Sequence, residues 1–469
     1  MAASSKLLPT LGTFDLVLLN IAAIVGLRWL SAAAQLGPAG LTLWVIASIA
    51  FFIPSGLAVQ ELSSRMPREG GLYLWIREAF GDIHGFVAAW GYVLSNLVFF
   101  PSLLLFISGV LLHIGSGSWL ALAESPVYNG AVCLTLLWVT TLLNILGLER
   151  AKLLQNVGGI GTLVIAVLVL AGGALAWWRF GAATPIHTAD LLPDWSALPT
   201  FSTLAMLILG YLGLELGPIM GDEIKDSART IRRATFIAGI AIAGIYVAGT
   251  AALLVALPPE QIGAISGIPS AMAAIGDRLG VLHMGAITAM LLAIANVGGL
   301  SGWVGGTARL PFVMGMGHYL PERLSTLHPR YATPHVALLT QAAVTSVVIL
   351  LAVAGSAIHE AYVLLIDMTV AINCVVWMYI FASLFVLRRR ARGKDSGIAV
   401  IPGGPVVCAL VAGVGFVGMA LALVASLMPP ASSENPLLFV LKGVGGCVLL
   451  FATGLVIARR GQRRMLARA

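Results

Sequence analysis

The sequence predicts an all-α polytopic membrane protein with twelve transmembrane helices. Three observations carry that reading. The chain of 469 residues is 59% hydrophobic and only 10% charged, whereas soluble domains carry about 25% charged residues. Its mean hydropathy is +0.97. Its apolar residues fall in about a dozen stretches, each near the roughly 20 residues that a helix needs to cross a bilayer core. One membrane domain, 1–469, accounts for the whole length, with no long soluble insertion.

In chain order the spans read as 14–36, 40–61, 84–113, 127–147, 152–178, 200–220, 234–257, 283–314, 335–355, 361–387, 400–428 and 437–458. Twelve spans return both termini to one side. Of the 27 Lys and Arg, all but Arg28, Arg179, Arg278 and Lys442 then fall on that side. Cytoplasmic loops hold the Lys/Arg excess, so both termini are expected in the cytoplasm of a cell-membrane protein. The net charge of +7 thus reads as a topology signal and a set of lipid-headgroup contacts, and argues against a nucleic-acid partner. The first span is too long for the apolar core of a signal peptide and has no small-residue cleavage pattern.

Segments between the spans differ by side. The outer loops are short, except for about 179–199 and 258–282. The inner ones carry distinctive sequence: ELSSRMPREGGLYLWIREAFG at 61–81, MGDEIKDSARTIRRA at 220–234 and RRRARGKDSGIAVIPGG at 388–404. Cys133, Cys374, Cys408 and Cys447 fall within spans and read as small packing residues. His113, His187, His283 and His359 are scattered near the outer side. No metal site or cofactor is expected.

Charges inside spans are rare and usually functional. Arg28 lies in span one, Glu215 in span six, Asp367 in span ten and Glu61 at the inner end of span two. Unpaired at the bilayer centre, each would cost roughly 2.5–3.5 kcal/mol on insertion scales, so each should face a polar cavity or another of the set. Gly26 stands beside Arg28. Gly210, Gly213, Gly217 and Pro218 surround Glu215, a composition that weakens a helix. Gly- or Pro-interrupted helices at matching places in two halves are the sequence pointer to a transporter site. Spans one and six match if spans one to five and six to ten are repeats. Broken helices free N–H groups for a carboxylate and C=O groups for an ammonium, which suits a zwitterionic amino acid.

Several stretches resemble the amino acid–polyamine–organocation superfamily, and within it the bacterial glutamate:GABA antiporter group. They are FFIPSGLAVQELSSRMPREGGLYLWIREAFG at 51–81, YLGLELGPIMGDEIKDSARTIRRA at 211–234, SGWVGGTARLPFVMGMGHYLP at 301–321 and IPGGPVVCALVAGVGFVGMALALVASLMPP at 401–430. The resemblance covers nearly the whole chain. It implies the five-plus-five inverted repeat of the bacterial leucine transporter, with helices 1–5 at 14–178, helices 6–10 at 200–387 and two further helices at 400–458. It implies alternating access around a central site, with an amino acid or related amine as substrate. It implies Glu215 and Trp303 for that site, with Tyr92, Asn96 and Asn373 near it; the two breaks add Ile24, Val25, Gly26, Arg28, Tyr211 and Gly213, and the charges within spans put Glu215, Asp367 and Glu61 in coupling or gating.

The chain departs from its relatives in places. Where many read Gly-Ser-Gly in span one, it has Gly26, Leu27 and Arg28. The span-five lysine of proton-coupled relatives has no counterpart; Gly161 or Thr162 stands nearest, and Lys152 reads as an inner-loop residue. The tail after 458 is expected to be too short for an autoinhibitory plug. No outer cysteine is placed to bind a heavy chain. Arg28 has two readings: a cationic lining group that pairs with Glu215 when the site is empty and with an anionic substrate group when full, or a fixed bridge, for instance to Asp367. Glu61 reads equally as gate or scaffold. An intramembrane enzyme is not expected, because no nucleophile–base pair or metal cluster is present. The expected function is amino acid transport, by exchange or with protons; a non-transporting sensor is the weaker alternative.

Overall fold

The computed structural model describes residues 7–115, 117–263, 265–317, 319–354, 358–391, 401–427 and 436–468. The described helices are α1 (Thr13–Ile24), α2 (Arg28–Ala34), α3 (Ala39–Ala47), α4 (Ile53–Arg65), α5 (Leu72–Phe80), α6 (Asp82–Leu111), α7 (Pro126–Ile145), α8 (Leu148–Phe180), α9 (Leu198–Gly210), α10 (Leu216–Ile219), α11 (Ser227–Ala256), α12 (Gly267–Leu279), α13 (Met284–Met316), α14 (His335–Val353), α15 (Ile358–Arg390), α16 (Gly404–Ser426) and α17 (Pro436–Arg468). A π-helical turn, Ser48–Phe52, joins α3 to α4.

Among the described residues, ten stretches are long and apolar enough to cross a membrane, α3 to α4 counting as one. The pair α1 and α2, bent by 46°, makes an eleventh. The shorter apolar helix α9 and the single turn of α10 flank a break at Tyr211–Glu215 and fit a twelfth. Both breaks fall in the spans where glycine stands beside a charge.

Two helices outside the spans differ from the sequence reading. The stretch 61–81 holds α5, whose Leu72, Tyr73, Trp75, Ile76 and Ala79 are buried while Arg77 and Glu78 face out. The stretch 258–282 holds α12, which buries Ile268, Ala271, Met272 and Ile275 against α8 and α13. Each is a short amphipathic helix, an apolar stripe at helical spacing, between longer and more apolar neighbours.

Burial orders the bundle. In their most apolar windows, α6 is 78% and α13 61% buried inside the protein, against 17% for α17. So α6, α13 and the described part of α15, 67% buried in its window, form the centre, with α1 and α8 against α13, and α17 lies at the edge. The α8–α13 contact depends on two facing glycines. A Cβ on Gly298 would stand 2.5 Å from the Gly158 Cα, and one on Gly158 would stand 2.6 Å from the Gly298 Cα. Small residues of this kind let membrane helices approach closely. They hold α13 where its middle faces the break of the first helix.

Candidate functional site

The first break begins at Ile24, where α1 ends. Gly26 N–H bonds the Ile24 carbonyl in a tight turn and also the Tyr246 hydroxyl at 3.2 Å. The second break is set by Gly213. Its φ of +132° is a conformation that side chains other than glycine's rarely tolerate. A Cβ there would also stand 2.7 Å from Ile24 Cγ1 and 3.3 Å from Trp303 Cζ2. One glycine thus lets the second break press against the first and against α13.

Where the breaks meet α6, α13 and α15 lies a central cavity of about 30 Å³. At roughly 10–15 Å³ per water that is room for about two waters, so little space is left at the centre. Ile24, Gly26, Arg28, Asn96, Trp303 and Asn373 line it. So do Gly210, which the sequence reading had placed at the second break, and Trp29, Phe99, Leu209, Asn296 and Thr369, which it had not singled out. Asn296, a lone amide in the apolar run of α13, was the one with a signal.

Arg28 is 4% exposed. Its guanidinium lies over the Trp29 ring at 4.4 Å, with Phe99 at 5.3 Å and Phe106 at 5.6 Å, which suits a cation held in an apolar surround. Among the described residues no ion pair joins it to Glu215. Both Glu215 oxygens have other donors: Tyr92 OH at 2.9 Å on Oε1 and Gly213 N–H at 3.0 Å on Oε2. Glu215 and Tyr92 are fully buried outside the cavity wall, and their bond ties the second break to α6. Trp303 bonds the Ala23 carbonyl through Nε1 at 2.9 Å and meets Phe99 edge-on at 5.5 Å.

Val25 is buried at the break without lining the cavity. Tyr211 turns towards α3 and α4: its hydroxyl is 2.7 Å from Ser48 Oγ and its ring stacks on Phe52 at 4.3 Å. The side chain of Asp367 lies outside the described residues.

Glu61 lies far along α4, surrounded by donors. It accepts from Arg65 at 2.8 and 3.0 Å, from Arg388 at 2.6 Å and from Ile401 N–H at 3.0 Å. These bonds fasten the end of α4 to the end of α15 and to the chain entering α16. Lys152 sits 3.8 Å from Asp15, joining α8 to the start of α1.

A second buried network closes the face of the bundle that carries the N-terminus. Arg309 of α13 grips Glu223 through two bonds of 2.9 Å. Glu69 Oε1 stands 4.0 Å from the same guanidinium, and its Oε2 accepts from Asp222 N–H at 3.2 Å. Thr10 and Leu11 donate to the Glu223 carbonyl at 2.8 and 3.0 Å, and Gly70 donates to the Ile219 carbonyl at 2.9 Å. Burial, and then the charge of Glu223, push the Glu69 carboxyl well above the usual carboxylate range against the pull of Arg309. The sequence had marked Glu223 for loop salt bridges, but Arg309 and Glu69 are too distant in the chain for spacing to link them.

A small cavity between two broken helices, at the centre of a bundle that crosses the membrane many times, is the architecture of a membrane transporter. The chain belongs to the amino acid permease family, whose model matches residues 11–453. It is 28% identical to an uncharacterized transporter of Legionella pneumophila, over 97% of this chain and 98% of that protein. It is 24% identical to a glutamate/gamma-aminobutyrate antiporter of Lactococcus lactis, over 83% of this chain and 78% of that one. Its fold is that of MhsT, solved in complex with L-phenylalanine, with a TM-score of 0.63 at 15% identity over 90% of this chain and 99% of that one.

Proposed function

We propose that this permease exchanges amino acids or related amines across the cell membrane by alternating access, with its termini in the cytoplasm and its two five-helix halves at 14–178 and 200–387. The observation that carries the reading is the cavity at the two breaks, where a cation, three amides and three aromatic rings converge on backbone freed from helix. The Arg28 guanidinium suits a carboxylate. Asn96, Asn296 and Asn373 supply donors and acceptors, and Trp29, Phe99 and Trp303 form apolar walls. Backbone at the breaks supplies the groups that hold a zwitterion in broken-helix transporters.

Buried links beside the cavity bear on how it opens. The Arg309–Glu223–Glu69 network seals one face, cytoplasmic in this reading, while Tyr92 and Glu215 hold the second break against α6. A substrate that loosens these links as it binds lets the carrier turn over only when loaded. The antiporter name of the Lactococcus relative supports the same mode.

The test is uptake of labelled L-glutamate, GABA, L-serine and putrescine into proteoliposomes, with and without unlabelled compound inside. Exchange requires that uptake depend on internal compound. Equal uptake into empty vesicles under a pH gradient would make the protein a proton symporter. No uptake of any label would refute transport of this substrate class.

A further inference from the structure

Beside Glu61, the end of α15 and the start of α16 leave a second cavity of about 330 Å³ between them. Phe385, Arg388, Arg389, Pro405, Val406 and Ala409 line it. Its volume falls within the roughly 300–1,000 Å³ of ligand sites. It shares no lining residue with the cavity at the breaks.

The lining divides by chemistry. Phe385 on α15 is 43% exposed and Val406 on α16 is 68% exposed. Both belong to stretches apolar enough to cross a membrane, so their outward faces meet acyl chains rather than water. The mouth is cationic. Arg388 donates to Glu61 through Nη1 at 2.6 Å, and Arg65 reaches the same carboxylate oxygen at 2.8 Å. Arg389 is exposed and, among the described residues, has no ion-pair partner. Next to it begins α16, whose N-cap is Gly403, a residue with no side chain to cap the first N–H groups. Those groups and the helix dipole favour an anion.

An anionic group with an apolar tail satisfies these features together. A phosphodiester accepts from a guanidinium, and an acyl chain covers the exposed apolar wall. Free phosphate would fill the mouth and leave that wall bare. A zwitterionic headgroup would bring an ammonium that Arg389 repels.

We propose that the groove between α15 and α16 binds an anionic phospholipid, with its phosphate on Arg389 and Arg388 and an acyl chain along Phe385, Val406 and Ala409. The lipid lies beside the Glu61 bonds that join α4, α15 and the chain entering α16, and it fastens the last two from outside. In the orientation proposed above it belongs to the cytoplasmic leaflet, where basic segments meet anionic lipid. The site does not depend on which compound is carried.

The test is native mass spectrometry of the full-length protein in detergent, titrated with phosphatidylglycerol or with phosphatidylethanolamine of the same acyl chains. Wild type should retain one phosphatidylglycerol in preference to phosphatidylethanolamine. Arg389→Gln should weaken that binding by about tenfold, the loss of a charge-assisted hydrogen bond. Val406→Trp fills the groove without changing its charge and should also weaken binding. Both positions are exposed, so neither variant disturbs the packed interior. Arg460→Gln, which removes an exposed arginine of α17, should leave binding unchanged. An equal loss in Arg460→Gln would reduce the effect to general charge attraction and overturn the proposal. Unchanged binding in Arg389→Gln or in Val406→Trp would place the lipid elsewhere and overturn it too. So would equal retention of the two lipids, or a lipid-free dimer that Val406→Trp breaks, which would assign the groove to a second copy of the chain.

Discussion

Glu69 offers the sharpest test of the buried network at the N-terminal face. Two carboxylates, Glu69 and Glu223, share the single guanidinium of Arg309, and all three are buried. Glu223 takes both short bonds, and Glu69 is left at 4.0 Å. A second negative charge there gains little attraction and meets the repulsion of Glu223, so the neutral acid is the favoured form. The sign follows from linkage. The native carboxyl titrates well above the ordinary value of 4.5. Its stabilising neutral form is fully present below that value, and stability falls as pH rises from there through the raised native value. The slope approaches about 1.4 kcal/mol per pH unit between the two. Glu69→Gln fixes the neutral form. Thermal unfolding followed by tryptophan fluorescence in detergent should find variant and wild type alike near pH 4, with the variant increasingly the more stable towards pH 8. Arg309→Met should behave oppositely, because it strands Glu223, and should destabilise by about 3–5 kcal/mol, the range for breaking a buried pair. A Glu69→Gln protein that tracks wild type at every pH, or is the less stable at neutral pH, would refute this reasoning.

Two further outcomes follow from the geometry. Gly213→Ala combines a backbone conformation costing about 1–3 kcal/mol for a residue with a side chain with a Cβ 2.7 Å from Ile24; it should abolish exchange in proteoliposomes, and retained wild-type exchange would show that the second break does not need this glycine. Glu61→Gln removes the charge that Arg65 and Arg388 bind; as a clamp it should lower thermal stability with KM unchanged, and an altered KM at unchanged stability would make it a gate.

The spans were legible because membrane helices need long apolar runs, and the bilayer leaves few alternatives. The breaks were legible at Gly26 and at Gly213 to Pro218, where flexible residues stand beside a charge that an apolar span does not tolerate alone. Side-chain direction was not legible. Tyr211 sits in the second break but packs on Phe52, away from the cavity. Phe99 and Thr369 line the cavity but look like ordinary span residues. Tyr246 was invisible for the same reason: one tyrosine in an apolar helix says nothing of the Gly26 N–H its oxygen will meet. Helices α5 and α12 were overlooked because neither is long enough to stand out beside the spans.

The central claim is that the cavity between the two breaks is the substrate site, with Arg28 in its wall. The most direct measurement is the KM for exchange of the labelled compound that wild type carries best, among L-glutamate, GABA, L-serine and putrescine, in proteoliposomes containing wild type or Arg28→Ala. A charge-assisted hydrogen bond is worth about 1.5–3 kcal/mol, so KM should rise by about tenfold or more. An Arg28→Ala protein with unchanged KM and exchange rate would place the substrate elsewhere.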